Sequence, residues 1–259
     1  MIALLLAVAA PFVAPAAVEV RRLAAADARQ GVASGPLGLY AIDNRTIARL
    51  DPATGGVAAR WEGDDARFKH LNSCIVRKSR LVCAGSNYPE TPQASRVDIF
   101  DAKTLRHSGV RQLGAGRGSL TWFDWHKGSW WAGYANYDGR GGMPGRDHTT
   151  TTLVRYDRHL REQGHWLFPA AVLERFAPRS SSGGTWGKDG LLYVTGHDRP
   201  ELYALRVPKE GDRLELVATI PIPTDGQAIG WDAKEPRLLW SIERSTREIV
   251  ASRIPEVTK

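Results

Sequence analysis

The chain has 259 residues and a net charge of +7, carried by 27 Arg and eight Lys, with 26 Gly, nine Trp and only two Cys. That length suits one large all-β domain or two small ones, and the Gly and Trp content suits short strands joined by tight turns. The arginines are scattered, with Arg21-Arg22 the only adjacent pair, so the sequence lacks the clustered basic face that a nucleic-acid partner requires.

The first seventeen residues, MIALLLAVAAPFVAPAA, are apolar and Ala-rich, and Ala14-Pro15-Ala16 offers a small-x-small cleavage pattern. Residues 1–17 are therefore expected to be a signal peptide, lacking the usual basic start, with 18–259 as a single exported domain, periplasmic or secreted in a bacterium. Pro11, Pro15 and the shortness of the run argue against stable membrane insertion. A wrongly chosen start codon or a buried N-terminal segment are the alternatives. The two cysteines lie in NSCIVRKSRLVCAG. A two-residue turn at Lys78-Ser79 would set Arg77 opposite Arg80 and Cys74 opposite Cys83, within disulfide reach. Two packed free thiols remain the other reading.

Five approximate copies of one unit follow at spacings of about 45–55 residues, the period of propeller blades. The second strand of each carries bulky core residues: LGLYAID (37–43), LVCAGSN (81–87), WWAGYAN (130–136), LLYVTGH (191–197) and LLWSIER (238–244). In three copies the third strand ends on an Asp (Asp51, Asp101, Asp157) placed to start an Asx-type turn. The fifth unit stops after its third strand near Pro255, and VEVRRLA (18–24) is a strand without another partner. The expected fold is an all-β, five-bladed propeller, closed by pairing the N-terminal strand with the C-terminal blade, which removes exposed sheet edges. One helix is expected, over residues 170–176.

Strand order sorts residues by face. First-strand openings and second-strand ends share one face, which also bears two polar insertions, SNYPETPQAS (86–95) and ANYDGRGGMPGRDH (135–148). Polar loops on a rigid scaffold are common binding sites. That face collects Asn72, Asn87, Tyr88, Asn136, Tyr137, Asp138, His148, Asp198, Gln227 and Arg244 as candidate ligand-binding residues, with His70 and His197 as candidate acid–base catalysts. A divalent metal is conceivable where imidazoles meet Asp138, Asp147 or Asp198. No HExxH, GxSxG, P-loop or dinucleotide fingerprint is present. The Trp-rich strands read first as blade core.

The motifs HLNSC (70–74), SNYPE (86–90), GSLTW (118–122), ANYDGRGG (135–142) and SGGTWGKDGLLYVTGHDRPELYAL (182–205) resemble a largely uncharacterised group of bacterial β-propellers sometimes labelled cycloisomerases. These are distantly similar to lactonase-type propellers. The resemblance implies a propeller over roughly residues 37–255 and, more remotely, lactone chemistry. Gluconolactonase-like propellers are six-bladed and hold a divalent metal with carboxylate and Asn ligands. Asn72, Asn87 and Asn136 could supply the Asn part, but no first-strand opening here carries an acidic residue. The expected function is binding of a small polar metabolite, with lactone hydrolysis or cycloisomerisation as the reaction. The alternatives are a non-catalytic propeller binding a saccharide, peptide or protein, and a glycoside hydrolase. The last would need two carboxylates about 5–9.5 Å apart, drawn from Glu90, Asp138, Asp198, Glu201 and Glu243.

Overall fold

In the computed structural model, which describes residues 12–257, burial follows strand position within each blade. Second strands such as Gly38–Ile42 and Leu192–Thr195 are buried along their whole length. Outer strands such as Val57–Glu62 and His107–Ala115 alternate or face solvent. A sheet covered on both faces explains the unbroken apolar runs of the inner strands. One apolar cluster fills each of five interfaces between neighbouring sheets: Tyr40 meets Phe100, Val82 meets Phe123, Trp122 meets Tyr203, Tyr193 meets Leu239, and Trp240 meets Leu39.

The sheets form a five-bladed propeller. Blade one is Gly31–Gly35, Gly38–Ile42, Thr46–Leu50 and Val57–Glu62. Blade two is His70–Arg77, Arg80–Ser86, Ala94–Asp101 and His107–Ala115. Blade three is Ser119–His126, Ser129–Ala135, Thr152–Tyr156 and Glu162–Leu167. Blade four is Gly183–Trp186, Leu192–Thr195, Glu201–Arg206 and Glu215–Pro221. Blade five takes Gly230–Trp231, Leu238–Glu243 and Glu248–Arg253 from the C-terminal part. Its fourth strand is Val18–Ala24, antiparallel to Glu248–Arg253 with Val18 opposite Arg253 and Ala24 opposite Glu248. Strands from the N- and C-terminal parts of the chain thus complete one sheet and close the ring.

Phe12–Val13 adds a short fifth strand to blade four, parallel to Ala218 and Thr219. Of the leader expected over residues 1–17, residues 1–11 lie outside the described residues. Among the described residues no helix is long and apolar enough to cross a membrane. The helix Ala170–Phe176 sits between blades three and four and buries Val172, Leu173 and Phe176.

Local chemistry accounts for the turns. Asp51, Asp101 and Asp157 each accept backbone N–H bonds from the residues just after them, at 2.8–3.1 Å, as Asx-type turns require. The Lys78-Ser79 hairpin has the expected register, and Cys74 and Cys83 form a disulfide across it. Trp131 is core, packed against Trp166 and Trp186.

Crowding near the axis explains two glycines. Trp122 is fully buried, its indole lies where a Cβ on Gly133 or Gly184 would fall, and its Nε1 donates to Ser181 Oγ at 3.1 Å. Gly184→Ala is therefore expected to destabilise the fold by about 1–3 kcal/mol, the usual cost of overpacking, read from the urea midpoint. A midpoint unchanged from wild type would contradict this role for the Trp122–Gly184 contact.

Candidate functional site

Each blade's first strand starts, and its second strand ends, at the same mouth of the channel, where a cavity of about 450 Å³ opens. Blade two contributes Lys69 and His70 just before and at the start of its first strand, and Asn72 within it. Blade four contributes His197 just after its second strand, and blade five contributes Arg244 in the same place. The two insertions add Tyr88, Tyr137 and Arg140, and the segment after the helix adds Arg179. Gln30 and Gln227 complete the polar floor.

Among the described residues no carboxylate lines this cavity, whereas Lys69, Arg140, Arg179 and Arg244 do. Four cations around one small volume attract anions, and the low-dielectric walls strengthen that field. Of the four, Lys69 alone has an ion-pair partner among the described residues, Glu90 at 2.9 Å.

His70 sits in a defined hydrogen-bond chain. Asn44 Oδ1 accepts from Gln30 Nε2 at 2.9 Å and lies 2.6 Å from His70 Nδ1. An amide oxygen only accepts, so the ring proton is on Nδ1 and Nε2 keeps its lone pair. Burial, reinforced by the charge of Arg244 and by His197, lowers the His70 pKa from its ordinary 6.5 to about 4. At neutral pH this imidazole is an uncharged base.

His197 is held from both sides. Its Nδ1 lies 2.5 Å from Asp198 Oδ1, and its Nε2 lies 3.2 Å from Arg244 Nη1. Since a guanidinium can only donate, Nε2 accepts and the Nδ1 proton goes to Asp198. Arg244 therefore faces both histidines. Asp198 itself belongs to an adjoining cavity with Asp225, which shares His197, Gln227 and Arg244 with the mouth.

Tyr88, in the shorter insertion, bridges His70 and the longer insertion. Its ring centroid is 5.0 Å from that of His70 and 5.1 Å from that of Tyr137, edge-on to the latter. Burial raises the Tyr137 phenol well above its ordinary pKa, with Ser119 acting in the opposite sense, so it serves as a neutral hydroxyl. Gly141 has φ of 81° and approaches the Tyr88 ring so closely that no Cβ would fit, which locks the two insertions together.

Thus His70, Asn72, Tyr88, Tyr137, His197, Gln227 and Arg244 meet at one cavity. The other candidates lie apart from it. Asn87 ties its own loop, accepting from Ala94 N at 2.7 Å and donating to Pro92 O at 3.2 Å. Asn136 Nδ2 donates to Thr150 O at 3.1 Å and Arg117 O at 3.3 Å, closing the base of the longer insertion. Asp138 and His148 bond each other at 2.6 Å within that insertion, beside Asp147. Lys69, Arg140, Arg179 and Asn44 are mouth residues that sequence reasoning did not select as ligand-binding. Single basic residues in polar loops carry no pattern, although Asn44 lies just one residue beyond the second-strand position that Asn87 and Asn136 share.

A hard divalent cation needs oxygen ligands carrying negative charge. The lining of the mouth offers amides, hydroxyls, imidazoles and four cations. These residues do not fit such a metal.

No family model matches the chain, and no curated protein matches it in sequence. Solved structures do match it as folds. A PQQ-bound aldose sugar dehydrogenase from Streptomyces coelicolor aligns with TM-score 0.54 and 13% identity over 96% of this chain and 84% of that one. Hydrazine synthase from Kuenenia stuttgartiensis aligns with TM-score 0.50 and 12% identity over 88% and 71%. A chain of a mitotic checkpoint complex aligns with TM-score 0.49 and 10% identity over 92% of each chain. At these identities the likeness shows the propeller fold alone.

The buried His70 makes stability pH-dependent. Below pH 6.5 the unfolded chain protonates this ring while the folded chain does not until about pH 4. The His70 contribution is therefore full above pH 6.5 and is lost as pH falls towards 4, by on the order of 3 kcal/mol. Unfolding free energies of wild type and His70→Gln, measured from pH 7.5 to 4, should converge by that amount. Parallel curves would contradict a buried, neutral His70.

Proposed function

We propose that the channel mouth binds a small metabolite bearing a carboxylate and performs acid–base chemistry on it, with lactone hydrolysis or cycloisomerisation as the reaction class. The observation that carries this reading is the charge of the lining: four cationic side chains and two imidazoles, with no carboxylate among them. A carboxylate gains charge-assisted hydrogen bonds there, and a guanidinium matches its geometry.

For lactone opening, His70 Nε2 takes a proton as a water oxygen attacks the ring carbonyl. Arg244, donor to His197 Nε2 at 3.2 Å, faces the negative charge that develops on the carbonyl oxygen. Collapse of that oxyanion breaks the ring C–O bond, and the proton on His70 passes to the departing alkoxide. The product is a hydroxy acid whose new carboxylate the cationic mouth favours. Asp198 holds His197 by its Nδ1, fixing the face it turns to Arg244. The resemblance to cycloisomerase-labelled propellers supports the same reaction class. The Cys74–Cys83 disulfide and the apolar leader support an exported protein.

Glycoside hydrolysis is less well supported, because its candidate carboxylates are engaged elsewhere. Glu90 pairs with Lys69, Asp138 with His148, Asp198 with His197, and Glu201 with Arg175 and Tyr203, while Glu243 accepts from Ser245. A saccharide platform is likewise less well supported, since Tyr88 and Tyr137 pack edge to face.

A thermal-shift screen of lactones, hydroxy acids, dicarboxylates and neutral sugars, followed by turnover assays on the hits, tests this reading. Carboxylate-bearing compounds should stabilise the protein, and Arg244→Ala should weaken them about tenfold or more. His70→Gln should lower kcat by roughly 10²–10⁴-fold while binding persists. Stabilisation by neutral oligosaccharides alone would contradict the proposal.

A further inference from the structure

The face opposite the mouth carries a second cavity, of about 230 Å³, between blades two and three. Its floor is apolar. Val82, Val97 and Ile99 come from blade two, and Phe123, Trp130 and Leu160 from blade three. Phe123 and Trp130 stack at 4.7 Å with only 15° between their planes, forming a flat aromatic wall.

Four arginines rim that floor: Arg77, Arg80, Arg111 and Arg158. Among the described residues none of them makes an ion pair, whereas Arg22, Arg60, Arg67, Arg117, Arg206 and Arg253 do. Arg77 lies over Trp125, 4.2 Å from its centroid. Arg111 donates to the carbonyl of its own neighbour Val110, and Arg158 to His159. Arg77 and Arg80 face each other directly across the Lys78-Ser79 hairpin, where like charges repel. Asp101, the cross-strand neighbour of Arg80, has its carboxylate turned to Thr104 and Lys103 instead. The lining thus sets four arginines beside an apolar floor, with no ion-pair partner for them among the described residues.

We infer that this groove is a second binding site, distinct from the channel mouth, for a small amphipathic carboxylate: an apolar chain or ring on the Phe123–Trp130 floor, with its carboxylate among the arginines. The cavity has room for roughly seven or eight water-sized groups, which fits a medium-length acyl chain. The apolar part is driven in by burial, and the head group by bidentate guanidinium contacts.

Octanoate is a suitable probe, with octanol as the uncharged tail and acetate as the tailless charge. Binding is followed by calorimetry and by Trp fluorescence, since Trp130 lines the groove. Octanoate should bind saturably, about tenfold or more tighter than either control. The exposed pair Arg80→Glu/Arg158→Glu should remove this tighter, Trp-reported binding and leave only the weaker carboxylate binding that acetate shares, while Arg244→Ala, at the mouth, should leave the tighter phase unchanged. Equal binding of octanol, or a tighter octanoate phase that survives the charge reversal, would overturn the inference. So would loss of octanoate binding in Arg244→Ala alone, which would return the ligand to the mouth and leave the mouth's own assignment standing.

Discussion

Pairing of Val18–Ala24 with Glu248–Arg253 is the contact on which the remaining structure depends. The fifth blade has four strands only because Val18–Ala24 joins three strands from the C-terminal part of the chain. With the ring closed, each inner strand is covered on both faces, so the five interface clusters can stay dry. The closed ring also forces five strand starts and five strand ends to converge on one small mouth. Without closure, His70 of blade two and Arg244 of blade five would have no reason to share a cavity.

The charge pattern follows from that geometry. Asp51, Asp101 and Asp157 are spent on turn caps, and Asp98 and Asp124 are buried with their own hydrogen-bond partners. Other acidic groups meet arginines at the rim. What lines the mouth itself is cationic and amide-rich. The same lack of counter-charge recurs on the opposite face, around an apolar floor instead of a polar one.

Much of the fold was legible in the chain, because blades repeat and each repeat uses the same devices. The Asp at third-strand ends, the Lys78-Ser79 turn, the helix after Pro169 and the unpartnered strand at 18–24 each state a local requirement that the ring satisfies. Phe12–Val13 was not legible as a blade-four strand, since an apolar N-terminal run reads equally as a leader. The site was only partly legible. The duplicated Asn-Tyr pairs mark loops that border the mouth, but within each pair the roles divide: Tyr88 and Tyr137 reach the mouth, whereas Asn87 and Asn136 hold their own loop bases. His70 and His197 stood out as histidines at strand ends. Arg140 and Arg179 did not, because an isolated arginine in a polar loop reads as a solvated surface until the closed ring brings several together.

We propose the mouth as an anion site built from Arg244 and the two histidines. Crystals soaked in 4-bromobenzoate test this most directly, because an aryl bromide does not alkylate imidazoles and bromine's anomalous signal locates the molecule independently of any assumed reaction. Bromine density is expected in the mouth with the carboxylate oxygens within hydrogen-bond reach of Arg244. A mouth free of 4-bromobenzoate, or one that instead takes up calcium from a parallel soak, would contradict this assignment.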